Sequence, residues 1–180
     1  MPQTAKLRCK PCQPAFHVVL LEPEIPPNTG AVARTCAATQ CPLHLVGPLG
    51  FDISERAVKR AGLDYWHLVD LRRHESFEAL LEQEPDRPFH LFSAEGNRSY
   101  LEADLQPGDM LVFGRESVGL PRELLARYPE RVCGIPTAGG VRSLNLSNAV
   151  AIALFEGLRR SGALRQTYIE PAPGTDPPTP

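Results

Sequence analysis

The amino-acid sequence predicts an open α/β fold built on a largely parallel sheet. Three observations lead there. Short apolar runs of strand length recur along the chain. Segments with helical patterning separate most of them, and such alternation signals parallel strands joined by crossover helices. The chain has 180 residues, 42% of them hydrophobic and 22% charged, an ordinary globular composition long enough to bury one core.

Residues 1–15 are polar, contain proline and carry no pattern, so an unstructured extension is expected. FHVVLLE (16–22) is continuously apolar and reads as a buried strand. Pro26 and Pro27 fix their own φ angles and hold Ile25 extended, and Asn28 is a good N-cap, so a helix is expected from Asn28. LHLVG (43–47) reads as a strand, SERAVKRAG (54–62) as a short helix and WHLVD (66–70) as a strand. ESFEALLEQE (75–84) follows as a helix, and PFHLFSA (88–94) and MLVFG (110–114) as strands. Pro121 opens a helix reaching Tyr128. RVCGIP (131–136) reads as a short strand, and Asn145 to Arg160 as a long helix. Residues 161–180 end in EPAPGTDPPTP, a proline-rich tail that cannot build a core. One domain over 16–160 results, with no internal repeat.

The net charge of −2 counts against a protein that coats RNA nonspecifically, yet leaves room for a local basic patch. No apolar run approaches the roughly 18 residues that span a bilayer, so a cytoplasmic protein is expected. Five scattered cysteines do not form a disulfide framework. Cys9 and Cys12 form a CxxC that lacks a second ligand pair, so no metal is expected.

In such sheets ligands bind beyond the carboxyl ends of the strands, and three loops stand out there. In EPEIPPNTG the prolines brace Asn28 and Gly30, and Gly30 shares a helix face with Arg34. A stiff turn, a helix cap and a surface salt bridge would account for the same residues. In FGRESVGLP (113–121), Gly119 permits positive φ, and Glu116 can accept hydrogen bonds from backbone N–H groups or from Arg34. In IPTAGGVRSLNLSNAVAIALFE (135–156), Ser143, Asn145, Ser147 and Asn148 crowd a helix start that needs one cap. The helix behind them is small and apolar on nearly all sides, so burial on every side is expected, by core and by a dimer partner.

The three loops, in this order, resemble the SpoU class of the SPOUT RNA 2′-O-methyltransferases, over residues 16 to 160. Within that class, EPEIPPNTG, RAGLDYW and the lack of an appended RNA-binding domain are similar to the minimal tRNA (cytidine/uridine-2′-O-)-methyltransferases of the wobble nucleotide. The resemblance implies a C-terminal trefoil knot, S-adenosylmethionine as methyl donor, and a homodimer whose active site is completed across the interface. Leu91, Gly114, Gly119, Leu120, Ile135 and Ser143 are the implied cofactor contacts, made largely through backbone. Arg34 matches the arginine proposed to activate the ribose hydroxyl. A guanidinium with a pKa above about 12 is a poor base. It is better suited to hold a phosphate and lower the hydroxyl pKa electrostatically. Asn28, Glu116, Asn145 and Ser147 would orient Arg34 and the ribose. For tRNA contact the expected cations are Arg56, Lys59, Arg60, Arg72 and Arg73, with Tyr65 and Trp66 available to stack on a base. Methylation of another RNA site and a non-catalytic RNA-binding role remain open. A dinucleotide fold does not fit, because GxGxxG is missing after the first strand.

Overall fold

The computed structural model describes residues 4–54 and 65–172. Six parallel strands make the main sheet: β2 (His17–Leu21), β3 (Leu43–Val46), β4 (Leu71–His74), β5 (Phe89–Phe92), β6 (Met110–Phe113) and β7 (Val132–Cys133). Their order is β4-β3-β2-β6-β5-β7. The register runs Val18↔Leu43 and Val18↔Leu111, so β2 is paired on both sides. This explains its unbroken burial, since a central parallel strand is covered on both faces.

Strand alternation sends Val18, Leu20, Leu43, Leu45, Leu111 and Phe113 to one face. There they pack under α1 (Pro26–Thr39) and α4 (Leu146–Arg160). Val19, Leu21, Val46, Leu91 and Val112 point the other way, under α2 (Phe77–Gln83) and α3 (Arg122–Arg127). Ser76 caps α2 by accepting the Ala79 N–H at 3.0 Å.

Three sequence expectations need correction. The helix α1 starts at Pro26, and its N-cap is Ile25, without a side-chain cap. The prolines lack N–H groups and so fit the first turn, which releases the Asn28 side chain for another partner. WHLVD is not a strand: Trp66–Leu68 forms a 3-10 turn, and the edge strand is the more polar Leu71–His74. WHLVD is the more apolar stretch, but the paired strand is the one that brings His74 against the buried His44. Residues 1–15 are not without structure, because β1 (Lys6–Cys9) pairs antiparallel with β8 (Thr167–Glu170) in a separate ribbon. Within this chain α4 buries Leu146, Val150, Ala153, Leu154, Gly157 and Leu158. Ile152 and Phe155 stay 38% and 46% exposed. The helix expected at 54–62 lies almost wholly outside the described residues.

Under α2, three imidazoles cross three adjacent strands. His17 Nδ1 and His44 Nε2 are 2.8 Å apart, and His44 Nδ1 and His74 Nε2 are 2.9 Å apart. Burial, aided by the Arg87 and Arg72 cations, lowers the His17 pKa to about 4. Burial and the two flanking imidazoles take His44 to about 3. The ladder is therefore neutral and structural. Among the described residues, no helix is long and apolar enough to cross a membrane.

Candidate active site

The connections from β2 and β6 run in opposite directions along the sheet, and in open α/β sheets ligands bind beyond the carboxyl ends at such a switch point. The three singled-out loops meet there, and one line of hydrogen bonds ties them together. Glu116 Oε2 accepts the Glu24 N–H at 2.9 Å. Its Oε1 accepts the Ile25 N–H at 3.3 Å and Asn28 Nδ2 at 2.9 Å. Asn28 Oδ1 accepts from Asn145 Nδ2 at 2.9 Å. Asn145 Oδ1 in turn accepts from the Ser147 N–H (2.9 Å), Ser147 Oγ (2.7 Å) and the Asn148 N–H (3.4 Å), which caps α4. The carboxylate can only accept, so it fixes which way the Asn28 amide faces, and Asn28 fixes Asn145.

Local sequence builds each part of this line. Asn28 sits in the first turn of α1, 8% exposed, because the two prolines occupy the positions before it. Gly119 adopts φ +74° and closes a tight hairpin with Arg115 through two backbone hydrogen bonds, of 3.1 and 2.9 Å. Glu116 lies within that hairpin. Glu24 returns the contact, accepting the Ser117 N–H at 3.0 Å. Arg115 forms an ion pair with Glu22, and Arg142 donates to the Glu116 carbonyl at 3.4 Å. Glu22, Glu24, Arg115 and Arg142 were not singled out from the sequence, although all four fall inside the loops that were.

The structure brings Asn28, Glu116, Asn145 and Ser147 into one network. Glu116 takes its hydrogen bonds from backbone and Asn28. Arg34 instead lies exposed on α1 with its guanidinium carbon 4.5 Å from the centroid of the Tyr65 ring. The Tyr65 hydroxyl donates to the Gly30 carbonyl at 2.8 Å, so the ring is anchored to the helix that carries Arg34.

The positions expected to hold the cofactor cluster at the ends of β5, β6 and β7. Leu91 is buried and in register with Val112 and Val132. Gly114 is pressed against the Gly119–Leu120 backbone, where a Cβ would lie 2.2 Å from the Gly119 carbonyl carbon. Leu120 is buried, Ile135 half-buried, and Ser143 exposed on the third loop. The loop after β5, which sequence reasoning passed over, is tied to the same region. Tyr100 N–H donates to the Gly134 carbonyl and Gly134 N–H to the Arg98 carbonyl, both at 2.9 Å. Gly96 there passes so close to Cys133 that a Cβ would fall 2.6 Å from its carbonyl carbon. The Gly96-Asn97 turn pair was the available signal.

Of the expected RNA contacts, Arg56, Lys59 and Arg60 lie outside the described residues. Arg72 is engaged by Asp70 (2.8 Å) and Glu84 (3.6 Å), while Arg73 is exposed on the edge strand. Trp66 packs partly against the core. Burial pushes the Cys41 and Cys133 thiols up to about 11, and Cys36 higher still, which makes them poor nucleophiles. Among the described residues, no group of three or more His, Cys, Asp or Glu is placed to hold a metal ion.

The chain is similar to known proteins over most of its length. Residues 15–155 match the family described as SpoU rRNA Methylase. A tRNA (cytidine(34)-2'-O)-methyltransferase of Acidovorax sp. (strain JS42) is 48% identical over 153 residues, covering 83% of this chain and 94% of the relative. A solved structure described as "Structural insights into the 2-OH methylation of C/U34 on tRNA" is 52% identical, with a TM-score of 0.76 over 82% of this chain and 97% of that one. The AdoMet-bound rRNA methyltransferase of Sinorhizobium meliloti is 29% identical, with a TM-score of 0.70 over 81% of this chain and 56% of that one.

Proposed function

The chain belongs to the SpoU methylase family, and from that premise we propose that it methylates the ribose 2′-oxygen of the wobble nucleotide, cytidine or uridine, in tRNA. The observation that carries this reading is the unbroken line Glu116–Asn28–Asn145, which locks the three motif loops together at the end of the sheet. The relatives named for C34 or C/U34 methylation, at 48% and 52% identity, support the choice of nucleotide.

S-adenosylmethionine is the proposed donor and, when bound, supplies a methyl group on a sulfonium. The residues present fit it. Backbone from Gly114, Leu120 and Ile135, with the Ser143 hydroxyl, would offer hydrogen bonds to a nucleoside, and Leu91 and Gly119 would shape the surface around it. The close pass of Gly96, in the loop after β5, against Cys133 supports the trefoil knot that the family implies.

The chain's own residues have separable roles. Arg34, steadied by Tyr65, holds a substrate phosphate and its field lowers the pKa of the 2′-hydroxyl. Asn28, Glu116, Asn145 and Ser147 hold the loops, and hence the ribose, in line for transfer. Arg73, and outside the described residues Arg56, Lys59 and Arg60, would contact the RNA. The exposed Ile152 and Phe155 on α4 are the proposed start of a homodimer interface. The setting is the cytoplasm.

The test is transfer of methyl from S-adenosylmethionine to tRNA by purified protein, with the product digested and read by mass spectrometry. A 2′-O-methyl group at position 34, lost in Arg34→Ala, is the expected result. An unmodified wobble ribose would end the assignment, and full activity in Arg34→Ala would end the role given to Arg34.

A further inference from the structure

Among the described residues, the positive charge that RNA requires collects most clearly where residues 6–9 pair with residues 167–170. Every residue of β1 and β8 is exposed, so the ribbon presents open surface on both faces. Its register sets Lys6 opposite Glu170 and Arg8 opposite Tyr168. Pleat alternation then puts Lys6, Arg8, Tyr168 and Glu170 on one face. Lys10 follows directly, its N–H donating to the Gln166 carbonyl at 3.2 Å. Arg165 ends the 3-10 turn Ala163–Arg165 that packs against β1. Glu170 is the one anion among these residues, paired with Arg8 at 2.8 Å. Lys6, Lys10 and Arg165 form no ion pair among the described residues. The ribbon and its turn thus hold four cations against one anion, in a chain whose net charge is −2. Tyr168, 52% exposed, adds an aromatic ring to the same face. Unpaired cations beside an open aromatic are suited to phosphates and unstacked bases.

We propose that this ribbon is a second RNA-contact surface, gripping the substrate outside the loop that is methylated. The proposal rests on tRNA being the substrate. It also concerns a part of the chain beyond residues 15–155, which match the family. The candidate site lies at the N-terminal end of α4 and the ribbon joins the fold at the C-terminal end. At 1.5 Å per residue the helix separates them by about 22 Å. An anticodon loop held at the site continues into a paired stem, whose backbone can extend to that distance. The opposite face of the ribbon carries Leu7 and Ile169, 70% and 63% exposed, so a second copy of the chain is the rival occupant.

The experiment compares full-length wild type with the triple variant Lys6→Ala, Lys10→Ala, Arg165→Ala, and separately with Tyr168→Ala. All four side chains are exposed, and thermal melting checks that the fold is kept. Binding of a tRNA transcript is measured from 50 to 200 mM salt, beside a single-stranded anticodon-loop oligonucleotide. The triple variant should bind tRNA about tenfold or more weakly and lose about 2 to 3 from the salt slope. The rate at saturating tRNA and the affinity for the oligonucleotide should not change. An unchanged tRNA affinity and salt slope would overturn the proposal, as would a change in the sedimentation of the free protein, which assigns the ribbon to contact between copies. Wild type that binds tRNA with this ribbon dependence but transfers no methyl refutes the functional reading and leaves the ribbon standing.

Discussion

At the scale of single residues, Glu116 decides how the site is held. It accepts from two backbone N–H groups and from Asn28, so its loss strands three donors at once. Glu116→Gln keeps the shape but turns an amide toward groups that only donate. Charge-assisted hydrogen bonds are worth about 1.5–3 kcal/mol, so single-turnover methyl transfer should fall about tenfold to a hundredfold. Wild-type rates in that variant would show that the network is not what positions the loops. The two glycines of the same loop should separate cleanly. Gly114→Ala drives a Cβ to 2.2 Å from backbone and should abolish soluble, folded protein. Gly119→Ala meets open space and has only its φ of +74° to overcome, a cost of about 1–2 kcal/mol visible as a lower denaturation midpoint. The sequence pointed to Asn28 and Glu116 as site residues. It gave Asn28 the wrong local job, because capping is judged from neighbours in sequence while its real partners lie 88 and 117 residues away.

At the scale of elements, the histidine ladder makes a prediction about acid. His17 is held near pKa 4 and His44 near 3, whereas an unfolded histidine titrates near 6.5. Below about pH 6.5 the unfolded chain therefore binds more protons than the folded one, and stability declines as pH drops toward 4. Each histidine contributes a slope of about 1.4 kcal/mol per pH unit in that window. Urea midpoints taken at pH 7.5, 6.5 and 5.5 should fall over the last step, and a level profile would mean that the imidazoles are not held neutral. Two of the three strands carrying this ladder were legible, since FHVVLLE and LHLVG contain observed strands, as PFHLFSA and MLVFG do elsewhere in the sheet. The third, the edge strand β4, was not, because an edge residue is covered on one side only and Arg72 and Arg73 carry no apolar signal.

At the scale of the whole molecule, the unpartnered side of α4 is the feature to probe. Phe155 is 46% exposed on a helix whose other face is core. If the chain pairs through that side, Phe155→Glu should yield a monomer by sedimentation, with melting of the sheet little changed and methyl transfer lost. A variant that stays dimeric would move the interface elsewhere. The apolar composition of the helix was plain in the sequence. Which of its apolar residues face the core depends on where β6 and α1 lie against it, and no local pattern encodes that.

The sequence by itself determined the α/β class, the order of the central elements and the three loops that carry the candidate chemistry, because each rests on local periodicity, turn residues or motif spacing. Tertiary structure alone decided that Glu116, Asn28 and Asn145 form one line, that Arg34 leans on Tyr65, and that residues 6–9 and 167–170 meet as a ribbon. These are contacts between residues far apart in the chain. Their geometry is set by how the sheet is ordered, and that order emerges only when the strands pack.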